Sequence, residues 1–422
     1  MALDAKILRD DALSEGAGAS RDTPCKRGEV LFELARALHV AGAPSWRVEA
    51  TFAHAARRLG LQAQVLSNPT SLIVALGSAG EDGVRLARVE PGEVHLSRLA
   101  AIDALLEDFE QGRVEAAEVR RRLRVLEAGA GRVPAWVDPL VVGLASGTAA
   151  SFFGGSILDL TLAGVLAAAI TALGPIAGRS EHRRPLFEPA GALLAAFTST
   201  ALSRLGVPID ALAVTLAALI ALVPGYSLTV AMSELAGRHL VSGVARLASA
   251  AGTLLGIGLG VGLGQALGER VLLRAPLGVH TAVGEPGVWL AVVTGALAFS
   301  VLFRARREDA PAILCASLAA FAGGRVGAEL LGPELGGLLG ALVLGLASNA
   351  AARWTRRPAS TVLCPGLMIL VPGSLGFRSV SQFLQADALS GVETGFRAAI
   401  VATSLVGGLL AANLALSPRR AV

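Results

Sequence analysis

The hydrophobic positions divide the chain into two parts near residue 134. Before that point, apolar residues recur with the spacing of amphipathic helices and short strands, and after it they form long, nearly continuous runs. A helix that crosses a bilayer needs about 20 consecutive, mostly apolar residues. The pattern therefore predicts a polytopic α-helical membrane protein that is preceded by a small α+β domain.

The first part predicts four helices and three strands. Between Val30 and Leu38, apolar residues fall on one helix face, and Gly42 then provides a C-terminal stop. Further stripes predict helices at 48–59, 99–109 and 119–126, and short apolar runs predict strands at 61–66, 71–76 and 84–89. We expect a cytoplasmic α+β domain over residues 28–134. Residues 1–27 are expected to be disordered, and they lack the apolar stretch of a signal peptide.

The second part predicts about ten transmembrane helices. Apolar runs lie approximately at 135–153, 156–177, 186–204, 208–223, 242–267, 287–303, 310–328, 334–352, 359–371 and 391–416. We assign the first five runs to one membrane module, residues 135–284, and the last five to a second module, residues 285–422. Closely spaced small residues, as between Gly256 and Gly262, allow two helices to approach each other closely.

An internal repeat relates the two modules. Leu222-Val-Pro-Gly225 recurs as Leu370-Val-Pro-Gly373, and Ser242-Gly-Val recurs as Ser390-Gly-Val, both at an offset of 148 residues. Because each module has an odd number of predicted spans, the second is expected to lie inverted relative to the first. Inverted five-helix repeats with broken helices are common in secondary transporters. The alternative for each Pro-Gly pair is a plain helix stop.

The charges agree with this division and indicate an orientation. Residues 1–134 hold 37 of the 70 charged residues. If this part lies in the cytoplasm, the loops on that side hold 12 arginines and the outer loops hold four, as the positive-inside rule requires. We expect a multi-pass protein of the cell inner (cytoplasmic) membrane with both termini in the cytoplasm. The net charge of +4 reflects these loops, and no nucleic-acid-binding signature accompanies it.

The sequence carries no signature of an enzyme. The G-x-S-x-G, H-E-x-x-H, P-loop and G-x-G-x-x-G motifs do not occur in a fitting context. Cys25, Cys315 and Cys364 are too few and too scattered for a disulfide scaffold or a four-cysteine zinc site. We therefore expect no enzymatic activity, no cofactor and no metal site. A membrane-tethered hydrolase is kept as an alternative class, since a nucleophile and a base can meet in space without a local motif.

Four segments resemble a known family. They are Ala41-Gly-Ala-Pro-Ser-Trp-Arg-Val-Glu49, Val89-Glu-Pro-Gly-Glu-Val94, Leu222-Val-Pro-Gly-Tyr-Ser-Leu228 and Leu370-Val-Pro-Gly-Ser-Leu-Gly376. In these segments the chain resembles the threonine/serine exporter family, and the resemblance covers about residues 28–415. The family's N-terminal module, with its soluble part and five helices, and its C-terminal five-helix module are fused here in one chain.

The resemblance implies ten transmembrane helices and export of small hydroxy amino acids driven by the proton motive force. The expected partners are therefore a small-molecule substrate, protons and the lipid bilayer, with no nucleic acid, and a homo-oligomer is left open. Relatives whose two modules are separate chains resemble exporters of dicarboxylates such as succinate, which gives one alternative. A membrane sensor whose cytoplasmic domain binds a metabolite is another.

Broken helices supply the first candidate site residues. The N-terminus of a half-helix after a Pro-Gly break can offer backbone N–H groups to a substrate carboxylate. The candidates for substrate binding or translocation are Pro224, Gly225, Tyr226, Ser227, Pro372, Gly373 and Ser374. Arg325 is a further candidate, because it can either hold a substrate carboxylate or pair with Glu329.

Ionisable residues inside predicted spans supply the proton-coupling candidates, because such residues are costly in a membrane unless they have a function. Glu188 and Glu393 are the best placed of the carboxylates. The alternative for Glu188 is exposure at the membrane interface. The alternative for Glu393 is neutralisation by Arg397, which lies four residues later on the same helix face.

Overall fold

The structure is a computed structural model that describes residues 24–77, 83–90, 92, 94–129, 134, 136–177, 184–271, 281–370 and 388–417. Of the segment that we expected to be disordered, residues 1–23 lie outside this description, whereas residues 24–27 are helical. Helix α1 therefore includes four residues that we expected to be disordered.

Residues 24–129 form an N-terminal α/β unit. Its elements are α1 (Pro24–Val40), α2 (Ser45–Arg58), β1 (Gln62–Asn68), β2 (Ser71–Gly77), β3 (Gly83–Arg88), α3 (Leu96–Glu110) and α4 (Ala116–Glu127). The strands form an antiparallel sheet in the order β1-β2-β3. These are the four helices and three strands that the sequence predicts, with ends displaced by a few residues.

The core of the N-terminal unit consists of large apolar side chains. Phe52 of α2, Leu72 of β2, and Leu99 and Leu106 of α3 are each at most 2% exposed. They belong to one contiguous cluster that joins all four helices to one face of the sheet. Burial of such side chains out of water is the main stabilising contribution in a unit of this kind.

Eleven helices follow in the described part of the second region. They are α5 (Val137–Ser151), α6 (Ile157–Ala177), α7 (Phe187–Arg204), α8 (Ala211–Ala218), α9 (Gly225–Ala236), α10 (Leu240–Val271), α11 (Glu285–Leu302), α12 (Ala310–Leu331), α13 (Gly336–Thr355), α14 (Ser360–Leu370) and α15 (Ala388–Ala415). Single 3-10 turns precede α7 and α12.

Six of these helices are long and apolar enough to cross a bilayer, namely α6, α10, α11, α12, α13 and α15. The chain is therefore a multi-pass membrane protein. Each of the ten predicted spans contains a helix, but α5, α8 and α14 are shorter than a full crossing. The predicted span at 208–223 is corrected most: it holds only the eight-residue α8, and α9 begins after the following turn.

The closest packing in the membrane region joins α7 to α10 through glycines. Gly256, Gly260, Gly264 and Gly268 recur every fourth residue of α10 and face α7. A Cβ at Gly264 would lie 2.5 Å from the Leu193 carbonyl oxygen, and one at Gly260 would overlap the Pro189 carbonyl oxygen. Only glycine allows the two backbones to approach this far, as the sequence predicts for this segment.

The N-terminal unit is hydrogen-bonded to the ends of the apolar helices. At the start of α3, the amide of Leu96 donates to the Phe303 carbonyl oxygen at 2.9 Å, just after α11 ends. At the start of α10, the hydroxyl of Ser242 donates to the Ser67 carbonyl oxygen at the end of β1, at 3.0 Å. Arg304 also pairs with Asp138 at 2.5 Å, which brings the start of α5 to the same side.

Candidate functional site

The segment from Gly42 to Glu49 is the edge of the N-terminal unit that faces the membrane helices. Gly42 has a φ of 87°, which reverses the chain after α1, and the amide of Ala43 donates to the Leu38 carbonyl oxygen at 3.1 Å. Pro44 then occupies the N-cap position of α2. The turn and the first turns of α2 therefore present the polar residues of this segment to the apolar helices.

Three residues of α2 contact three different membrane elements. The Ser45 amide donates to Glu234 Oε1 of α9 at 3.1 Å, and Arg47 Nη1 donates to Ser360 Oγ of α14 at 2.7 Å. Glu49 Oε2 lies 3.1 Å from the Nδ1 atom of His239, in the turn between α9 and α10. This one short segment therefore docks the N-terminal unit on helices of both predicted membrane modules.

Glu234 is the most deeply buried charged group of this junction. Its side chain is 0% exposed and receives two hydrogen bonds from Arg246 of α10, Nε to Oε2 and Nη2 to Oε1, both at 3.1 Å. Together with the Ser45 amide, the carboxylate accepts three N–H groups. This set satisfies a buried charge that otherwise costs several kcal/mol.

His39 supports the same junction from inside the N-terminal unit. Its ring nitrogens lie 3.1 Å from Ser67 Oγ and 3.1 Å from the Pro69 carbonyl oxygen, and the residue is 2% exposed. Burial lowers the pKa of His39 below 6.5, which outweighs the opposite effect of the Pro69 carbonyl. The ring is therefore neutral near pH 7, where it holds the strand end that binds Ser242.

A cavity of about 490 Å³ lies beside this junction, between α2 and α3 of the N-terminal unit and the ends of α9, α13 and α14. Its wall includes Arg47, Asp103, Tyr226, Asn349, Ser360 and Cys364. A volume of this size and a mixed polar and apolar wall are typical of sites for small molecules.

Arg47 and Asp103 form an ion pair in the wall of the cavity. Arg47 Nη2 lies 2.5 Å from Asp103 Oδ2, and the two side chains are 8% and 16% exposed. The pair joins α2 to α3, while Nη1 of the same guanidinium reaches Ser360 of α14. Arg47 thus links the N-terminal unit to the membrane region at the cavity.

The start of α9 brings Tyr226 to the cavity. Pro224 is the N-cap residue, and α9 begins at Gly225 as the predicted helix break requires. The Tyr226 hydroxyl lies 3.4 Å from Cys364 Sγ, and its ring lies 6.2 Å from that of Phe303. The amide of Gly225, however, donates to the Val223 carbonyl oxygen at 2.8 Å, so it is not the free donor that the sequence predicted.

Amides of the first helical turn have no acceptor within their own helix. At the start of α9, those of Tyr226 and Ser227 are therefore the remaining candidates from the Pro-Gly break. Ser227 itself is half-buried.

The mouth of the cavity holds three arginines, while Glu107 and Glu110 of α3 contribute acidic groups to the same wall. Arg306, Arg356 and Arg357 line it at the ends of α11, α13 and α14. Arg357 is paired with Asp309 and Glu308. The side chains of Arg306 and Arg356 have no hydrogen-bond or ion-pair partner among the residues that the structure describes, so two guanidinium charges remain for an anionic group.

Arg325 lies far from this cavity. Its Nη1 atom is 3.0 Å and 2.8 Å from the two carboxylate oxygens of Glu285. Glu285 is the first residue of α11, whereas the cavity lies beyond the last residue of that helix. The pairing with Glu329 that the sequence left open is replaced by this contact. The side chain is 43% exposed, and Arg325 does not line the cavity described above.

The two proton-coupling candidates differ in their surroundings. Arg397 Nη2 lies 2.8 Å from Glu393 Oε1, which is the neutralising pair that the helical spacing allows. Glu188 lies half-buried in the first turn of α7 and has no ion-pair partner among the described residues. Pro372, Gly373 and Ser374 lie within residues 371–387, outside the described residues.

Glu234 and Asp159, both 0% exposed, are carboxylates that escaped the sequence reasoning. Glu234 was passed over because it lies between two predicted spans, in what hydropathy indicated as a loop. Asp159 is 0% exposed and accepts from the amides of Ser156 at 2.7 Å and Asp210 at 2.9 Å. The Ser-x-x-Asp spacing of residues 156–159 is a helix-start signal, and it could have indicated the contact between Asp159 and Ser156. Among the described residues, no group of three or more His, Cys, Asp or Glu could hold a metal ion.

Two family models that describe threonine/serine exporters match the chain, one over residues 29–268 and the other over residues 287–415. They meet between α10 and α11, close to the division between the two predicted membrane modules. No solved structure matches the chain.

Among curated proteins, Pheromone-regulated membrane protein 10 of Eremothecium gossypii is 24% identical over 411 residues, which cover 94% of this chain and 55% of the relative. An uncharacterised protein of Schizosaccharomyces pombe is 26% identical over 393 residues, covering 90% and 50%. A Mycobacterium tuberculosis protein named "Probable threonine/serine exporter" is 25% identical over 366 residues, covering 83% and 68%. The chain thus spans about half the length of the two fungal relatives.

Proposed function

Because the chain belongs to the threonine/serine exporter family, we propose that it exports threonine or serine across the cytoplasmic membrane, driven by the proton motive force. The observation that supports this most is the cavity between the N-terminal unit and the ends of the membrane helices. A cavity there, next to a helix that begins at a Pro-Gly break, is where a transporter in an inward-facing or occluded state would take up its substrate.

The proposed topology has ten crossings with both termini in the cytoplasm. In it, α8 and α9 together form one broken crossing, and the second five-helix module lies inverted relative to the first. Asn349 of α13 donates to Asn413 Oδ1 at 2.9 Å and to the Leu416 carbonyl oxygen at 2.7 Å. This contact supports the topology, because it holds the end of α15 beside the end of α13 that lines the cavity.

The N-terminal unit acts as a cytoplasmic gate in this proposal. In it, α2 and α3 cover the cytoplasmic side of the cavity, and the contacts with Glu234, Ser360 and His239 hold the unit in place. Release of these contacts would expose the cavity, and their formation would close it. A protein that lacks residues 1–133 is then expected to lose control of flux, and unchanged flux and regulation in that protein would refute the gate.

Glu188 is the preferred proton carrier of the two candidates. A carboxylate without a cationic partner can take up and release a proton without breaking an ion pair, and Glu188 meets this condition among the described residues. Glu393 does not, because it is bound to Arg397. Glu188→Gln is therefore expected to abolish the dependence of export on a pH gradient, while Glu393→Gln retains it.

A second candidate function is export of C4-dicarboxylates such as succinate. The unpaired guanidinium groups of Arg306 and Arg356 at the cavity mouth favour it, since they would attract a substrate with two negative charges.

Flux through the purified full chain in liposomes tests both functions. Labelled threonine, serine and succinate are followed with and without an imposed pH gradient, and liposomes without protein serve as the control. Gradient-dependent movement of threonine or serine is the expected result. If only succinate moved, export of threonine or serine would be refuted and export of dicarboxylates would be supported. No movement of any of the three by folded protein would refute export of these substrates and favour a sensor.

A further inference from the structure

We propose that Arg47 and Asp103 form a recognition site for the zwitterionic end of an α-amino acid. The Arg47 guanidinium binds the substrate carboxylate, and the Asp103 carboxylate binds the substrate ammonium group. This inference rests on the proposed function and names the chemistry by which the cavity would distinguish an amino acid from a dicarboxylate.

The two side chains have hydrogen-bonding capacity left for a ligand. A guanidinium carries five N–H donors, and the contacts of Arg47 with Ser360 and Asp103 occupy one N–H on each terminal nitrogen. Asp103 uses Oδ2 for Arg47, and its Oδ1 atom has no hydrogen-bond partner among the described residues. Both residues face the same cavity, so a small molecule there reaches a donor group and an acceptor group together.

Charge balance favours a zwitterion at this pair. The pair is mostly buried and has no net charge, and an amino-acid zwitterion has none either. Its insertion exchanges one ion pair for two and leaves no buried charge uncompensated. A dicarboxylate would place a second negative group near Asp103, where like charges repel each other, so Asp103 selects against it.

The arginines at the mouth are suited to attracting the substrate and not to recognising its ammonium group. Arg306 and Arg356 are positioned to attract a carboxylate toward the cavity, but they leave an ammonium group without a partner. Glu107 and Glu110 of α3 also line the cavity, but Asp103 is the carboxylate that lies beside Arg47, so we assign the discrimination between an amino acid and a dicarboxylate to Asp103.

Ligand analogues test the site in the unmodified protein. Titration calorimetry of the purified full chain would compare threonine with threonine amide, which lacks the carboxylate charge, and with N-acetylthreonine, which lacks the ammonium charge. Each analogue is expected to bind at least ten-fold more weakly than threonine. Equal affinities of the three ligands would overturn the proposal without any variant.

Substitution assigns each half of the ligand to its residue. Asp103→Asn keeps the shape and an oxygen for Arg47 but removes the charge. This variant is expected to bind threonine about ten-fold more weakly and to bind N-acetylthreonine with unchanged affinity. Its binding and transport of succinate should improve. Asp103→Glu should restore much of the preference for threonine. If the pair only stabilised the interface, its loss would instead lower the affinity for all ligands by the same factor.

An exposed ion pair on the same unit gives the matched control. Arg36 and Glu127 lie 3.5 Å apart and are 48% and 53% exposed, so Glu127→Gln removes a pair without touching the cavity and should leave every affinity unchanged. If wild-type protein moves threonine but Asp103→Asn keeps its selectivity, this inference alone fails. If wild-type protein neither binds nor moves threonine, the proposed function fails with it.

Discussion

The N-terminal unit and the membrane helices differ in the size of the side chains that they bury. In the N-terminal unit, many of the fully buried residues are large, as Phe52 and Leu72 illustrate. In the helices from α5 onward, many fully buried positions hold small residues such as Ala192 and Ala217, while large residues such as Leu255 and Leu290 are more than 60% exposed.

The surrounding solvent explains this difference. Water drives large apolar side chains into a core, so the N-terminal unit hides them. Lipid is as apolar as leucine and supplies no such force, so membrane helices associate through small residues that permit close backbone contact. The size of the buried side chains therefore marks, without reference to hydropathy, where the chain passes from water into lipid. The junction of the two regions is held by polar contacts such as Ser45 with Glu234 and Arg47 with Ser360.

Truncation of a large side chain should give the largest difference in stability loss between the two regions. Phe52→Ala leaves a cavity in the water-excluding core and is expected to cost about 3–5 kcal/mol. Leu259→Ala, at a 54% exposed position of α10, should cost far less, because the side chain faces outward. Hydrogen exchange of the full chain in lipid or detergent would measure the opening free energy of each region. Equal losses in the two variants would contradict the comparison.

Addition of a methyl group should destabilise the membrane region where its helices pack through glycine. Gly260→Ala forces a Cβ into the Pro189 carbonyl of α7, and overpacking of this kind costs about 1–3 kcal/mol. Gly252→Ala on the same helix meets nothing within 4 Å and should be neutral or stabilising. The thermal midpoint of the folded protein in detergent distinguishes the two. Equal midpoints would show that the α7–α10 contact does not depend on glycine.

Acid should weaken the N-terminal unit more gently than either substitution. Burial lowers the pKa values of His39 and His95 in the folded chain, so the unfolded chain binds more protons once the pH falls through 6.5. The free energy of unfolding should therefore decrease from pH 7.5 to pH 5.5. His39→Gln should reduce this dependence in hydrogen-exchange measurements across that range. A slope that is unchanged in the variant would exclude His39 as a source.

The sequence predicts local elements well because their signals are local. The stripe from Val30 to Leu38 and the Asn-Pro and Gly breaks between the strands depend only on neighbouring residues, and the structure has helices and strands there. The glycine spacing in α10 likewise predicts close packing, although it does not name α7 as the partner. The Glu393–Arg397 contact follows from four-residue helical spacing alone.

The site depends on contacts that no local pattern contains. Arg47 meets Asp103 and Ser360 across 56 and 313 residues of chain. The sequence marks Arg47 only as part of a resemblance, and it marks neither of its partners. Glu234 was overlooked because a helix of twelve residues, α9, is too short for a hydropathy signal. The partner of Arg325 was not foreseen, because its small neighbours predict close packing but do not indicate Glu285, which lies 40 residues away in the chain.

The four-residue glycine stripe also has a mechanical consequence. α10 has 32 residues and is roughly 48 Å long, and its glycines hold it against α7 from Pro189 to Thr200. The glycine contact covers Gly256 to Gly268, roughly 18 Å of that length, and backbone contact over this stretch couples the two helices closely. Since Ser242 ties the start of α10 to the end of β1, we expect a displacement of the N-terminal unit to move both helices.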